Sequence, residues 1–97
     1  MNPLLISTQA YAPLADRLAP LINADIGQLD LQVFPDGERY MRILTDVRER
    51  DVVLLGGSYD DASALQSFDL ACGLAMGGAH SLDIILPYFG YSTMERA

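Results

Sequence analysis

Basic residues are scarce: the 97-residue chain has six Lys and Arg against thirteen Asp and Glu, a net charge of −7. Nucleic-acid binding draws most of its affinity from cations that neutralise phosphates, and no basic cluster is present, so a polyanionic partner is excluded. A small phosphorylated ligand is not, because it needs only a few local donors. Cysteine is limited to Cys72, which rules out an internal disulfide and makes a reducing, cytoplasmic setting the expectation. Cys72 lies in an apolar stretch without an activating neighbour and reads as core. Long apolar runs are missing too, since none approaches the ~20 residues of a membrane span. The N-terminus lacks a basic region and meets Ser7, Thr8 and Gln9 after three apolar residues, so no targeting signal is expected. His80 is the only histidine. It could be a general base, but no nucleophile or metal-ligand cluster accompanies it and it reads better as a loop residue, and no metal-ligand or triad spacing occurs elsewhere.

What remains is a globular composition, 51% hydrophobic and 20% charged, in one small domain. A chain this short buries a limited share of its surface and gains from packing against a second domain or subunit.

Residues 4–6 form a short apolar run and predict a buried strand. Over residues 10–22 the apolar positions Tyr11, Leu14, Ala15, Leu18, Leu21 and Ile22 recur at helical steps. Pro13 suits the first turn of that helix, and Pro20 distorts or ends it. Leu29, Leu31 and Val33 alternate with Asp30 and Gln32, the pattern of a half-buried strand. Phe34-Pro35-Asp36-Gly37-Glu38 then carries turn chemistry, and a strand over 40–44 completes a hairpin. Residues 52–55 read as a strand covered on both faces. Asp60, Asp61 and Ser63 are N-cap candidates for a helix reaching Met76, which Gly77 and Gly78 stop. Residues 82–86 predict another buried strand, and 87–91 a loop. The order implies an α/β fold, a three-layer sandwich around a mainly parallel sheet with one hairpin. Ligands of such sheets sit beyond the carboxyl ends of the strands, here the loops at 56–63 and 87–96.

Three segments offer chemistry. Phe34 could stack on a base, with Asp36 and Glu38 accepting hydrogen bonds from an amine or ribose hydroxyls. The same five residues also read as an ordinary hairpin turn with solvated charges. Gly56-Gly57-Ser58 could bring backbone amides to a phosphate, but lacks the Lys and spacing of a P-loop and reads better as a chain reversal. The run from 87 to 96 sets aromatics and the Glu95-Arg96 pair after a buried strand. It fits either a nucleotide site or a cap on the core.

Taken together, Phe34-Pro35-Asp36-Gly37-Glu38, Val47-Arg48-Glu49-Arg50-Asp51-Val52 and Pro87-Tyr88-Phe89-Gly90-Tyr91 resemble, in order and separation, the F-x-D-G-E, V-R-x-x-D-V and P-Y-F-G-Y motifs of the ribose-phosphate pyrophosphokinase (PRPP synthetase) family. The similarity spans essentially all of the chain. It implies a phosphoribosyltransferase-like fold, with residues 1–97 forming one N-terminal domain of a longer protein. It further implies an enzyme that transfers diphosphate from Mg-ATP to ribose 5-phosphate, working as a homo-oligomer, with most Mg2+ ligands outside this chain. Phe34, Asp36, Gly37 and Glu38 would touch the adenine part of an ATP bound mainly by a neighbouring subunit.

The chain also departs from the family. Where a Y-A-R-Q-D run is usual, Tyr91 leads into Ser92, Thr93, Met94, Glu95 and Arg96. Thr93, Met94, Glu95 and Arg96 would form the second ATP element, without the usual Arg-Gln pair. This run resembles the T-S-E-R-type segment of the phosphate-independent branch. Asp46 and Gly78 stand where phosphate-regulated members carry serines, which implies weak or absent phosphate activation. The family's metal-binding histidine, catalytic loop and D-D-x-x-x-T-G-G-T ribose-5-phosphate loop would lie downstream, so these 97 residues would be inactive alone. A non-catalytic regulatory or interaction subunit that keeps the fold is the alternative.

Overall fold

The computed structural model describes residues 2–57 and 61–87. Its centre is a sheet of four parallel strands in the order β2-β1-β5-β6: β1 Leu4–Ser7, β2 Asp25–Ile26, β5 Asp51–Leu55 and β6 Ser81–Ile85. Side chains on a strand alternate between faces, and this alternation builds two cores. Leu4, Ile6, Val52 and Leu54 point to one side and pack on Leu70 and Leu74 of helix α2, Asp61–Met76. Leu5 and Leu55 point to the other and meet Ala15 and Ala19 of the N-terminal helical segment, whose α-helical part is α1, Ala12–Leu18. Helices on both faces make the three layers, with β5 buried between them as its aliphatic run requires.

The helix expected over 10–22 is three pieces: a 3-10 turn at Gln9–Tyr11, then α1, then a 3-10 turn at Ala19–Ile22 closed by Asn23 at φ 54°. Pro20 accounts for the break, because it has no N–H for the ladder and its ring crowds the preceding turn. Strand β2 is unforeseen, since two residues carry no period. It is held by pairing to Leu4 and Leu5 and by Arg50, whose Nη2 donates to Asp25 Oδ2 and to the Asn2 carbonyl, each at 2.9 Å.

Three expectations need correction. Cys72 is exposed. Leu70 and Leu74 define the buried stripe of α2, and a residue two steps from each lies about 200° round the helix, on the far side. Strand β6 is largely exposed, because it sits at the edge of the sheet and only Leu82 packs onto the core. Of the cap candidates for α2, Asp61 and Ser63 lie within the helix itself, and Asp60 falls outside the described residues. Asp61 remains in the first turn, where a carboxylate is favoured by the helix dipole. His80 is an exposed loop residue as expected. Among the described residues no helix is long and apolar enough to cross a membrane.

Strand β5 runs into Gly56 and Gly57, which are both buried. Gly56 N–H donates to the Ile85 carbonyl at 3.0 Å. Ser67 Oγ donates to the Gly57 carbonyl at 2.8 Å and accepts from Gly57 N–H at 3.2 Å. A Cβ built on Gly56 would stand 2.6 Å from that hydroxyl oxygen. Gly56→Ala is therefore expected to destabilise the protein by about 1–3 kcal/mol through overpacking. In a Ser67→Ala background the same change should cost less, an interaction that a double-mutant cycle in denaturant measures.

Candidate functional site

The hairpin pairs β3 (Leu29–Val33) with β4 (Arg39–Ile43) as a separate antiparallel ribbon. Its base is anchored, because Leu29, Met41 and Ile43 pack against the α2-side core. The Gln28 N–H donates to Thr45 Oγ1, and the Leu44 N–H to the Gln28 carbonyl, each at 2.8 Å. Its tip is solvated, with Val33 72% and Phe34 40% exposed. The hairpin is thus held at its base and bare at its turn.

Residues 34–38 close that turn with their own groups. Phe34 N–H donates to the Glu38 carbonyl and Gly37 N–H to the Phe34 carbonyl, both at 2.8 Å. Asp36 Oδ1 accepts from Glu38 N–H at 3.0 Å. Gly37 adopts φ +87° with open space where a Cβ would stand, so backbone conformation, not crowding, demands glycine there. The turn thus holds Phe34, Asp36 and Glu38 on one small, preorganised, exposed loop. The Phe34 ring rests on Tyr40, with centroids 6.1 Å apart and planes tilted 41°.

Behind the tip, a cleft of about 400 Å³ separates the hairpin from the carboxyl end of β1 and the first turns of α2. Among the described residues its polar lining comes from Thr8, Gln9, Gln32, Tyr40, Gln66 and Asp69. The tip residues were legible as a motif. The cleft was not, because it joins three segments distant in sequence, and Tyr40 read only as a strand residue. Thr93, Met94, Glu95 and Arg96 lie outside the described residues.

A second polar locus lies elsewhere. Asp46 grips Arg48 through both carboxylate oxygens, taking bonds from Nε at 3.1 Å and from Nη2 at 2.9 Å, while Asp46 Oδ1 also accepts the Arg48 N–H at 3.0 Å. Gly78, at φ +91°, packs beside the Arg48 side chain, and Glu49 N–H donates to its carbonyl at 2.9 Å. The Arg48 hydrogen bonds lower the Asp46 pKa to about 2. A depressed carboxylate pKa means that the pair is intact above the ordinary value of 3.8 and is lost as pH falls through about 2. Carboxyl-carbon NMR should show Asp46 titrating near 2, and a midpoint at the ordinary value would show the pair is not held in solution.

Among the described residues no group of three or more His, Cys, Asp or Glu could hold a metal ion.

Helices on both faces of a parallel four-stranded sheet, with an antiparallel hairpin beside it, make an α/β fold that solved structures share. A purine phosphoribosyltransferase from Pyrococcus horikoshii superposes with a TM-score of 0.63 at 13% identity, over 91% of this chain and 69% of that one. The chain belongs to the family described as the N-terminal domain of ribose phosphate pyrophosphokinase, whose model matches residues 4–97. It is similar to the ribose-phosphate pyrophosphokinase 2, chloroplastic, of Oryza sativa subsp. japonica, at 29% identity over 94 residues, covering 95% of this chain and 24% of that protein. The phosphoribosylpyrophosphate synthetase structure from Mycobacterium smegmatis matches with a TM-score of 0.87 at 23% identity, over 98% of this chain and 33% of that one. The chain spans 24% of the rice protein and 33% of the Mycobacterium smegmatis chain.

Proposed function

We propose that residues 1–97 form the N-terminal domain of a ribose-phosphate diphosphokinase and supply part of its ATP site. The observation that carries this reading is the exposed tip at 34–38, an aromatic ring and two carboxylates preorganised on a hairpin whose base is buried. Phe34 would stack on adenine, with Asp36 and Glu38 accepting from its amine or from ribose hydroxyls and Gly37 holding the turn. Thr93, Met94, Glu95 and Arg96 would complete the donor site. Because the tip points away from its own core, it would serve an ATP held mainly by a neighbouring copy in a homo-oligomer. Mg2+ would arrive with the ATP phosphates, on ligands outside the described residues. The chain's contribution to the transfer is positioning of the donor.

The reaction expected of the full-length protein is attack of the ribose 5-phosphate 1-hydroxyl on the β-phosphorus of ATP, with AMP leaving. The test is formation of AMP and PRPP that depends on both Mg-ATP and ribose 5-phosphate. ATP binding without either product would overturn the enzyme assignment in favour of an interaction subunit.

The same reading extends to regulation. In the free protein Asp46 already occupies the Arg48 guanidinium, so an inorganic phosphate would have to displace a carboxylate tethered two residues away. Activation by phosphate is accordingly expected to be weak or absent, and Asp46→Ser should increase it. Strong activation of the unaltered protein at millimolar phosphate would contradict this.

A further inference from the structure

We propose that Tyr40 is a positioning residue for the nucleotide base, a claim that rests on the reading of residues 34–38 as part of the ATP site. A lone phenylalanine on an exposed turn samples several rotamers, and fixing one of them on binding lowers affinity. Here Phe34 is not alone. Tyr40 lies opposite Gln32 in the β3–β4 register, just past the five-residue turn, and its ring meets that of Phe34 at 6.1 Å with a 41° tilt. That separation is within the range of favourable tilted aromatic pairs. Phe34 stays 40% exposed in this contact, which leaves ring surface for a base. Tyr40 itself is set by the hairpin and by the cleft that it lines together with Gln32 and Gln66.

The chain of support thus runs from the cleft wall to Tyr40, from Tyr40 to Phe34, and from Phe34 to the base. Tyr40 acts through Phe34 and does not touch the nucleotide. Its contribution is an aromatic face, so the phenol oxygen is dispensable.

The experiment uses the full-length protein and compares Phe34→Leu, Tyr40→Leu and Tyr40→Phe, with Mg-tripolyphosphate as a base-free competitor. Tyr40→Leu should raise the KM for ATP about two- to tenfold, the range that an aromatic pair supplies, with kcat within about twofold and competitor inhibition unaltered. Tyr40→Phe should keep the KM of the unaltered protein. An unchanged KM in Tyr40→Leu beside a raised one in Phe34→Leu would overturn the role of Tyr40 alone. So would an equal loss in Tyr40→Phe, or an equal weakening of tripolyphosphate, which would mark a general structural effect. An unchanged KM in Phe34→Leu would overturn the ATP reading of the tip, and this inference with it.

Discussion

Phe34→Ala in the full-length protein is expected to raise the KM for ATP about 5- to 150-fold, because a base stacked on an aromatic ring contributes roughly 1–3 kcal/mol. Folding should be little affected, since the ring is 40% exposed and packs on Tyr40 rather than on the core. The thermal transition should therefore stay within a few degrees while nucleotide affinity collapses. Steady-state kinetics at saturating ribose 5-phosphate, with a melt of the same sample, separates the two. Parallel losses in both would mean that the ring serves the fold.

The opposite profile is expected of Leu54→Ala. Leu54 is fully buried on β5, between β1 and β6, and shares its core with Leu70 and Leu74 of α2. Its truncation leaves a cavity on the inner face of the sheet and should cost about 2–5 kcal/mol. A loss of this size is a large fraction of the total stability of an ordinary domain. Denaturant titration should show a lower midpoint with little change in slope. ATP affinity of the protein that remains folded should be unaltered, because the hairpin tip is not seated on Leu54. A midpoint shift below about 1 kcal/mol would mean that this core relaxes far more than buried leucine sites do.

The two substitutions separate what the sequence shows from what it conceals. The core was legible because burial leaves a periodic trace: residues 4–6 and 52–55 are aliphatic on both faces, and residues 29–33 alternate. The turn at 34–38 was legible for a different reason. Asp-Gly needs a positive φ at the glycine, and Gly37 has it. The motif also marked Phe34, Asp36 and Glu38 as candidates.

Where the reading missed, the cause was tertiary. Strand β2 exists because β1 offers it an edge and Arg50 binds Asp25. Cys72 looked like core because residues 70–76 are all apolar, so hydrophobicity alone does not say which stripe faces the sheet. Strand β6 has the composition of an inner strand but the exposure of an edge. The contact of Tyr40 with Phe34 depends on hairpin register, which no single run of residues reveals. The grip of Asp46 on Arg48 links residues two apart in a segment with no repeating pattern.

The central claim is that residues 34–38 receive the base of the nucleotide donor. It is tested most directly by a structure of the full-length protein with a non-hydrolysable ATP analogue and ribose 5-phosphate. The account predicts the adenine ring against Phe34, with Asp36 and Glu38 within hydrogen-bond distance of the amine or ribose hydroxyls. A base bound elsewhere, with residues 34–38 in contact only with solvent or protein, would contradict it.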